Sequence, residues 1–265
     1  MHSWEQIIET AEPRGHLVQL YGNNQALIRN VSRYLWEGLK RGDGLLVIAT
    51  EKHREAFFRE LQELDTDADA AVRDGRLVLL DAEETLAGFM VEGQPDWTRF
   101  ERIVLAAMRE VHARTGRTGL RAYGEMVGVL WTAGKFSAAI RLEQFWNQLL
   151  ASNGFNLYCA YPIDVFHEDF QISAVDALLC DHTHLLPTAA NGQLENAVNR
   201  AMDEILGAAE VEAIRLRVKD KHRSSWAMMP RAETIILCLR NAFPEKARAI
   251  LARARQYYEA SPVKQ

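Results

Sequence analysis

Residues 44–50 read GLLVIAT, an almost unbroken apolar run. Such a run fits a strand covered on both faces, as in a parallel sheet wrapped by helices. Four further short runs rich in β-forming residues accompany it: HLVQLY (16–21), RLVLLD (76–81), LRAYGEM (120–126) and FNLYCAY (155–161). They alternate with helical segments over the first 165 residues, which predicts an α/β fold with a parallel sheet flanked by helices. In NNQALIRNVSRYLWEGLKRG, Leu27, Val31, Leu35 and Leu39 recur at helical spacing, and a basic residue followed by Gly42 marks the stop. DWTRFERIVLAAMREVHART repeats the pattern with Ile103, Ala107 and Val111, opened by Asp96 as a cap, and KFSAAIRLEQFWNQLLASNG is a third long amphipathic helix.

Beyond LLPTAANGQ the pattern is helical only, so the chain divides into an α/β domain over 1–188 and an all-α C-terminal extension over 189–265. LENAVNRAMDEILGAAEVEAIRLRVKD reads as one helix or two, because Gly207 inside a helix costs about 1 kcal/mol. RAETIILCLRNAF and PEKARAILARARQYYEA follow, the latter with Pro244 in the first turn. The two parts differ in charge. Residues 1–188 carry 18 basic and 27 acidic side chains, and residues 189–265 carry 13 and 9. A basic tail attracts polyanions at long range, and a solvated helical surface explains the same excess.

At 265 residues, 48% hydrophobic and 25% charged, the chain has the composition of a soluble globular protein. No apolar run approaches the roughly 20 residues that cross a bilayer, and the N-terminal residues lack a leader pattern, so a cytoplasmic location without membrane contact is expected. Cys159, Cys180 and Cys238 are far apart and form no CxxC, which reads as buried thiols and assigns no metal site.

Ligands of open parallel sheets sit outside the carboxyl ends of the strands. Those ends here are Tyr21 to Asn24, Thr50 to His53, Asp81 to Glu84, Tyr123 to Met126 and Tyr161 to Asp164, a polar and aromatic set. After the first run, a phosphate loop would need GxxxxGK[ST]; YGNNQALIRN has one glycine, no lysine and no hydroxyl at the required place. GVLWTAGKFS (128–137) contains Gly134-Lys135, but the spacing is one residue too long and Phe136 replaces the hydroxyl, so a helix–helix turn is expected.

In LRAYGEM, period-two alternation puts Arg121, Tyr123 and Glu125 on one face. Buried charges are costly alone, so Arg121 and Glu125 are expected to meet each other, a partner carboxylate or a bound ligand. His16 opens the first strand, where it caps the strand or reaches the sheet edge; His182 and His184 are two apart with no third ligand in view. No GxSxG elbow occurs, and Phe145, Trp146, Phe155, Tyr158 and Tyr161 read as core.

GHLVQLY (15–21), YLWEGLKRGDGLLVIAT (34–50), GRLVLLDAEET (75–85), LRAYGEM (120–126) and LYCAYPIDVF (157–166) together resemble the methanogen and methylotroph, DcmR-type sensory (MEDS) family, over about residues 14–186. The resemblance implies a core similar to the RecA and KaiC ATPases with the nucleotide loop lost, used as an input module for DNA-binding or histidine-kinase outputs. Residues 189–265 show neither a kinase segment nor a helix-turn-helix pattern, and the family's tryptophan soon after Gly-Glu-Met is displaced to Trp131.

The expectation is therefore a non-enzymatic sensory protein with no assigned cofactor. It would bind a small-molecule effector or a signalling partner at the strand ends and signal through its helical tail. The expected ligand residues are Arg121, Glu125, Tyr21, Asp81, Tyr161 and His16. Ile235, Leu239, Tyr257 and Tyr258 read as a stripe for homodimer contact. Two alternatives stand beside this: a degenerate nucleotide-binding ATPase with Glu125 activating water, and a transcriptional regulator whose basic tail binds DNA.

Overall fold

All five runs form strands in the computed structural model, which describes residues 4–10, 14–64, 67–115, 119–171, 182–188, 192–221 and 229–260. In chain order the first elements are α1 (Trp4–Thr10), β1 (His16–Leu20), α2 (Asn24–Arg41), β2 (Gly44–Ala49), α3 (Glu51–Glu63), α4 (Ala68–Arg73), β3 (Leu77–Asp81) and α5 (Ala82–Phe89). A two-residue hairpin, β4 (Met90–Val91) and β5 (Gln94–Pro95), leads to α6 (Trp97–Thr115), β6 (Leu120–Gly124), α7 (Met126–Thr132), α8 (Phe136–Ser152) and β7 (Asn156–Tyr161). The remaining described elements are β8 (His184–Leu186), α9 (Gln193–Ile205), α10 (Ala208–Lys221), α11 (Arg231–Ala242) and α12 (Pro244–Ala260). By packing, one unit holds Met1–Gln19 and Asn23–Pro162, and the other holds Leu20–Gly22 and Ile163–Gln265. The division read at residues 188 and 189 falls beside 189–191, outside the described residues.

Within the first unit the strands lie in the order β3-β2-β6-β7-β1. β2 pairs in parallel with β3 and β6, and β6 with β7. From β2 the chain moves outward to β3; from β6 it moves the opposite way to β7. The connections therefore diverge between β2 and β6, the position outside whose carboxyl ends open parallel sheets usually bind ligands.

Local chemistry sets the helix ends. Asn23 accepts hydrogen bonds from the Gln25 and Ala26 amides at the start of α2, and Gly42, at φ 77°, closes its far end by donating to Gly38 and Leu39. Asp96 caps α6 through the Arg99 amide, as its position predicts. An aromatic cluster fills the core beside the sheet, with Trp146 edge-on to Phe100 and Phe145 against Trp97. The five aromatics read as core, Phe145, Trp146, Phe155, Tyr158 and Tyr161, are all buried.

In the second unit the stretch around Gly207 forms two helices. Leu206 turns extended, and the Gly207 amide donates to Glu210. α11 is its buried centre: Ile235 and Leu239 are covered within the chain, so they belong to this core and not to a stripe open to a second copy. Tyr257 bonds to Glu204, and Tyr258 packs on Phe166. Six of the tail's 13 basic side chains, Arg215, Arg231, Lys246, Arg248, Arg253 and Arg255, each face a carboxylate. Arg253 and the Tyr257 hydroxyl hold the Glu204 carboxyl down at about 2. Among the described residues, no helix is long and apolar enough to cross a membrane.

Candidate functional site

The two charges of LRAYGEM go to opposite ends of β6. Arg121 pairs in register with Leu45, near the start of β2, and its side chain is fully buried. Its Nε donates to Asp43 at 3.0 Å, Nη1 to the carbonyls of Ile8 (2.9 Å) and Tyr34 (3.1 Å), and Nη2 to the Glu9 carbonyl at 3.2 Å. Gly38 makes this passage possible: a Cβ there would stand 2.8 Å from Arg121 Cδ. The guanidinium thus ties β6 to α1, to α2 and to the turn before β2, with a carboxylate to balance its charge.

Glu125 lies past the end of the strand. Its backbone, at φ −97° and ψ −8°, has turned helical and opens α7, so the alternation that would align it with Arg121 has stopped. Its amide still donates to Ile48, extending the β6–β2 ladder by one bond. The carboxylate is 4% exposed and accepts from the Thr50 amide at 2.9 Å, while His53 Nδ1 lies 2.5 Å from the other oxygen. Arg54, beside His53 on α3, bonds to Asp81 at 2.8 Å. Asp81 caps α5, and the bonds it accepts from the Glu84 and Glu83 amides, with Arg54, hold its carboxyl below the usual range. The first turn of α3 therefore grips two strand ends, β6 through Glu125 and β3 through Asp81. Beside it opens a cleft of about 440 Å³ lined by Glu51, Arg54, Glu55, Asp69, Arg73 and Leu79. Arg54 Nε is buried without a hydrogen-bond partner among the described residues.

His16 and Tyr161 meet in a different place, through residues the sequence reading did not single out. The Tyr161 hydroxyl donates to Glu143 Oε1 at 2.6 Å, and His16 Nε2 lies 3.4 Å from Glu143 Oε2 and 3.4 Å from Cys159 Sγ. Asn147 Oδ1 holds His16 Nδ1 at 2.9 Å. Burial, with the Glu143 carboxylate alongside, pushes the Cys159 thiol up. Glu143 was legible as an exception: it is a charge among the buried positions Ala139, Leu142, Trp146 and Leu150 of α8.

The other expected site residues lie elsewhere. Tyr21 is buried and belongs to the second unit. His184 bonds to the neighbouring Thr183 hydroxyl, and Cys180 lies outside the described residues. Gly134 and Lys135 form the exposed turn between α7 and α8, Gly134 at φ 70°. At the start of α2, the Asn23 side chain occupies amides that a bound phosphate would need.

The chain matches no curated protein. Residues 15–182, more than half of its length, match the model of the methanogen/methylotroph, DcmR sensory domain. That span takes in Arg121 with Asp43, the Glu125–His53 pair and the Glu143 cluster, and by it the chain belongs to the MEDS sensory-domain family.

Proposed function

We propose that the protein is a sensor of a small, uncharged polar molecule, which it reads at the crevice between β2 and β6 through the first turn of α3. In this reading the RecA-like core has given up phosphate binding. Glu125 and Asp81 spend their oxygens on Thr50, His53, Arg54 and the α5 amides, and Asn23 caps the helix that would hold a nucleotide's phosphates. The observation that carries the proposal is that Thr50, His53 and Arg54, within one helical turn, hold Glu125 and Asp81 at the ends of two strands. An effector that accepts from Arg54 Nε or competes for either carboxylate shifts α3 between two positions, and the population shift is passed to the helical tail over residues 189–265. The six basic side chains of that tail that face carboxylates support a protein contact as its output.

A thermal-shift screen of the full chain tests this, using small alcohols and amides against ATP, ADP and GTP with magnesium. A true effector at 100 times its dissociation constant adds about 2.7 kcal/mol of stability, and Glu125→Gln or Arg54→Ala removes that gain. Stabilisation by nucleotides alone, or an effector response unchanged in both variants, overturns the reading.

A further inference from the structure

Away from the α3 crevice, three elements of the first unit bring a histidine, a carboxylate and a thiol to one buried point: β1 with His16, α8 with Glu143 and β7 with Cys159. We propose that His16 Nε2, Glu143 Oε2 and Cys159 Sγ are three ligands of a zinc-type divalent cation.

The spacing carries the argument first. The three atoms stand 3.4 Å (His16–Glu143), 3.4 Å (His16–Cys159) and 3.6 Å (Cys159–Glu143) apart. A tetrahedral zinc ion, with bonds of about 2.0 Å to nitrogen or oxygen and about 2.3 Å to sulfur, sets its ligand atoms roughly 3.3–3.6 Å from one another. The triangle therefore fits an ion at its centre with little movement of any side chain.

Orientation carries it second. The far atom of each of two ligands is already held by a fixed partner: Asn147 Oδ1 faces His16 Nδ1 at 2.9 Å, and the Tyr161 hydroxyl donates to Glu143 Oε1 at 2.6 Å. With Asn147 Oδ1 as the acceptor, the His16 proton is assigned to Nδ1, which leaves the Nε2 lone pair for the cluster. Outer partners of this kind fix the tautomer and rotation of metal-binding side chains. Ligand chemistry carries it third. Imidazole with thiolate selects zinc and neighbouring transition ions over calcium or magnesium, which prefer oxygen alone. Such an ion would also neutralise the Glu143 carboxylate, held at negligible exposure where uncompensated charge is costly, and would take the place of the Cys159 thiol proton, which is released on binding.

Chelator-stripped full-length protein, kept reduced, is titrated with cobalt(II) and then zinc(II). The expected result is one equivalent of cobalt bound, with thiolate-to-cobalt charge-transfer absorption and the strong visible bands of a tetrahedral site, both lost when zinc displaces it. Cys159→Ser abolishes the charge-transfer band, and His16→Gln or Glu143→Gln abolishes one-equivalent uptake. Asn147→Leu, which leaves all three ligands in place, keeps the band and weakens binding about 10–100-fold. The wild-type spectrum and the Asn147 variant decide the matter even if a ligand variant does not fold. A wild-type chain that takes up no stoichiometric metal, or a band that survives Cys159→Ser, shows a hydrogen-bonded trio only and overturns the proposal.

Discussion

The two ends of β6 hold one buried charge each, and they hold it by different means. At the amino end, Arg121 is bonded to Asp43 and to backbone carbonyls of α1 and α2, groups whose positions the fold itself fixes. At the carboxyl end, Glu125 is bonded to a main-chain amide and a histidine that both belong to the beginning of α3. A charge tied to several separate segments locks them together. A charge tied to one helical turn leaves that turn a single body able to move against the sheet. Under the proposed function, the difference separates a residue that maintains the architecture from one placed to report a ligand.

The amino end gives the largest expected effect. Arg121→Met keeps most of the side-chain volume but strips Asp43 of its partner and leaves the carbonyls of Ile8, Tyr34 and Glu9 without their donors. Breaking one side of a buried pair costs about 3–5 kcal/mol, so urea unfolding should show a loss of that size. A loss below about 1 kcal/mol, the worth of a surface pair, would show that the lock contributes little and would collapse the contrast between the two ends.

Much of this was legible beforehand. The five strands, the long helices α2, α6 and α8 and the absent phosphate loop follow from apolar period and from turn residues, which are local properties. LRAYGEM was legible as unusual and EGLKRGD as part of the family resemblance, but their connection was not. Gly38 leaves space for Arg121, and Asp43 balances it, across 78 residues of chain. Period-two reasoning failed at Glu125 because it assumes that the strand continues, whereas the backbone turns helical at that residue. His53, Glu143 and Asn147 gained their places from helix rotation and strand order, which no local pattern states. The apolar stripe Ile235 and Leu239 was read correctly as apolar and wrongly as open, because amphipathicity does not name the surface that covers it.

The carboxyl end gives the intermediate effect. Glu125→Gln keeps the shape and removes the charge, and hydrogen bonds to a charged group contribute about 1.5–3 kcal/mol, so the loss should fall within or just below that range. Its location matters more than its size. Hydrogen exchange should quicken in residues 50–54 and stay slow at Arg121 and Leu45, since α3's first turn loses its grip while the amino end is untouched. If protection falls evenly along β6, the strand behaves as one unit and the two-ended description is wrong.

The smallest effect belongs to Asp81, which is partly exposed and whose capped amides can turn to water when it is removed. Asp81→Ala should cost about 1 kcal/mol, the usual worth of an N-cap. Its pH dependence has a definite sign. The folded carboxyl titrates below its ordinary value, chiefly through the Glu84 amide, so the folded state favours the anion relative to the unfolded chain. The contribution is therefore whole above the unfolded value of about 3.9 and disappears as pH falls through the lower folded value. The stability difference between wild type and Asp81→Ala should stay constant from about pH 7 to 5 and shrink below about pH 4. A difference that widens on acidification would mean that Asp81 is held protonated, and Arg54 would then have no anion to grip; α3 would be fastened at Glu125 alone, and the proposed sensing turn would lose one of its two anchors.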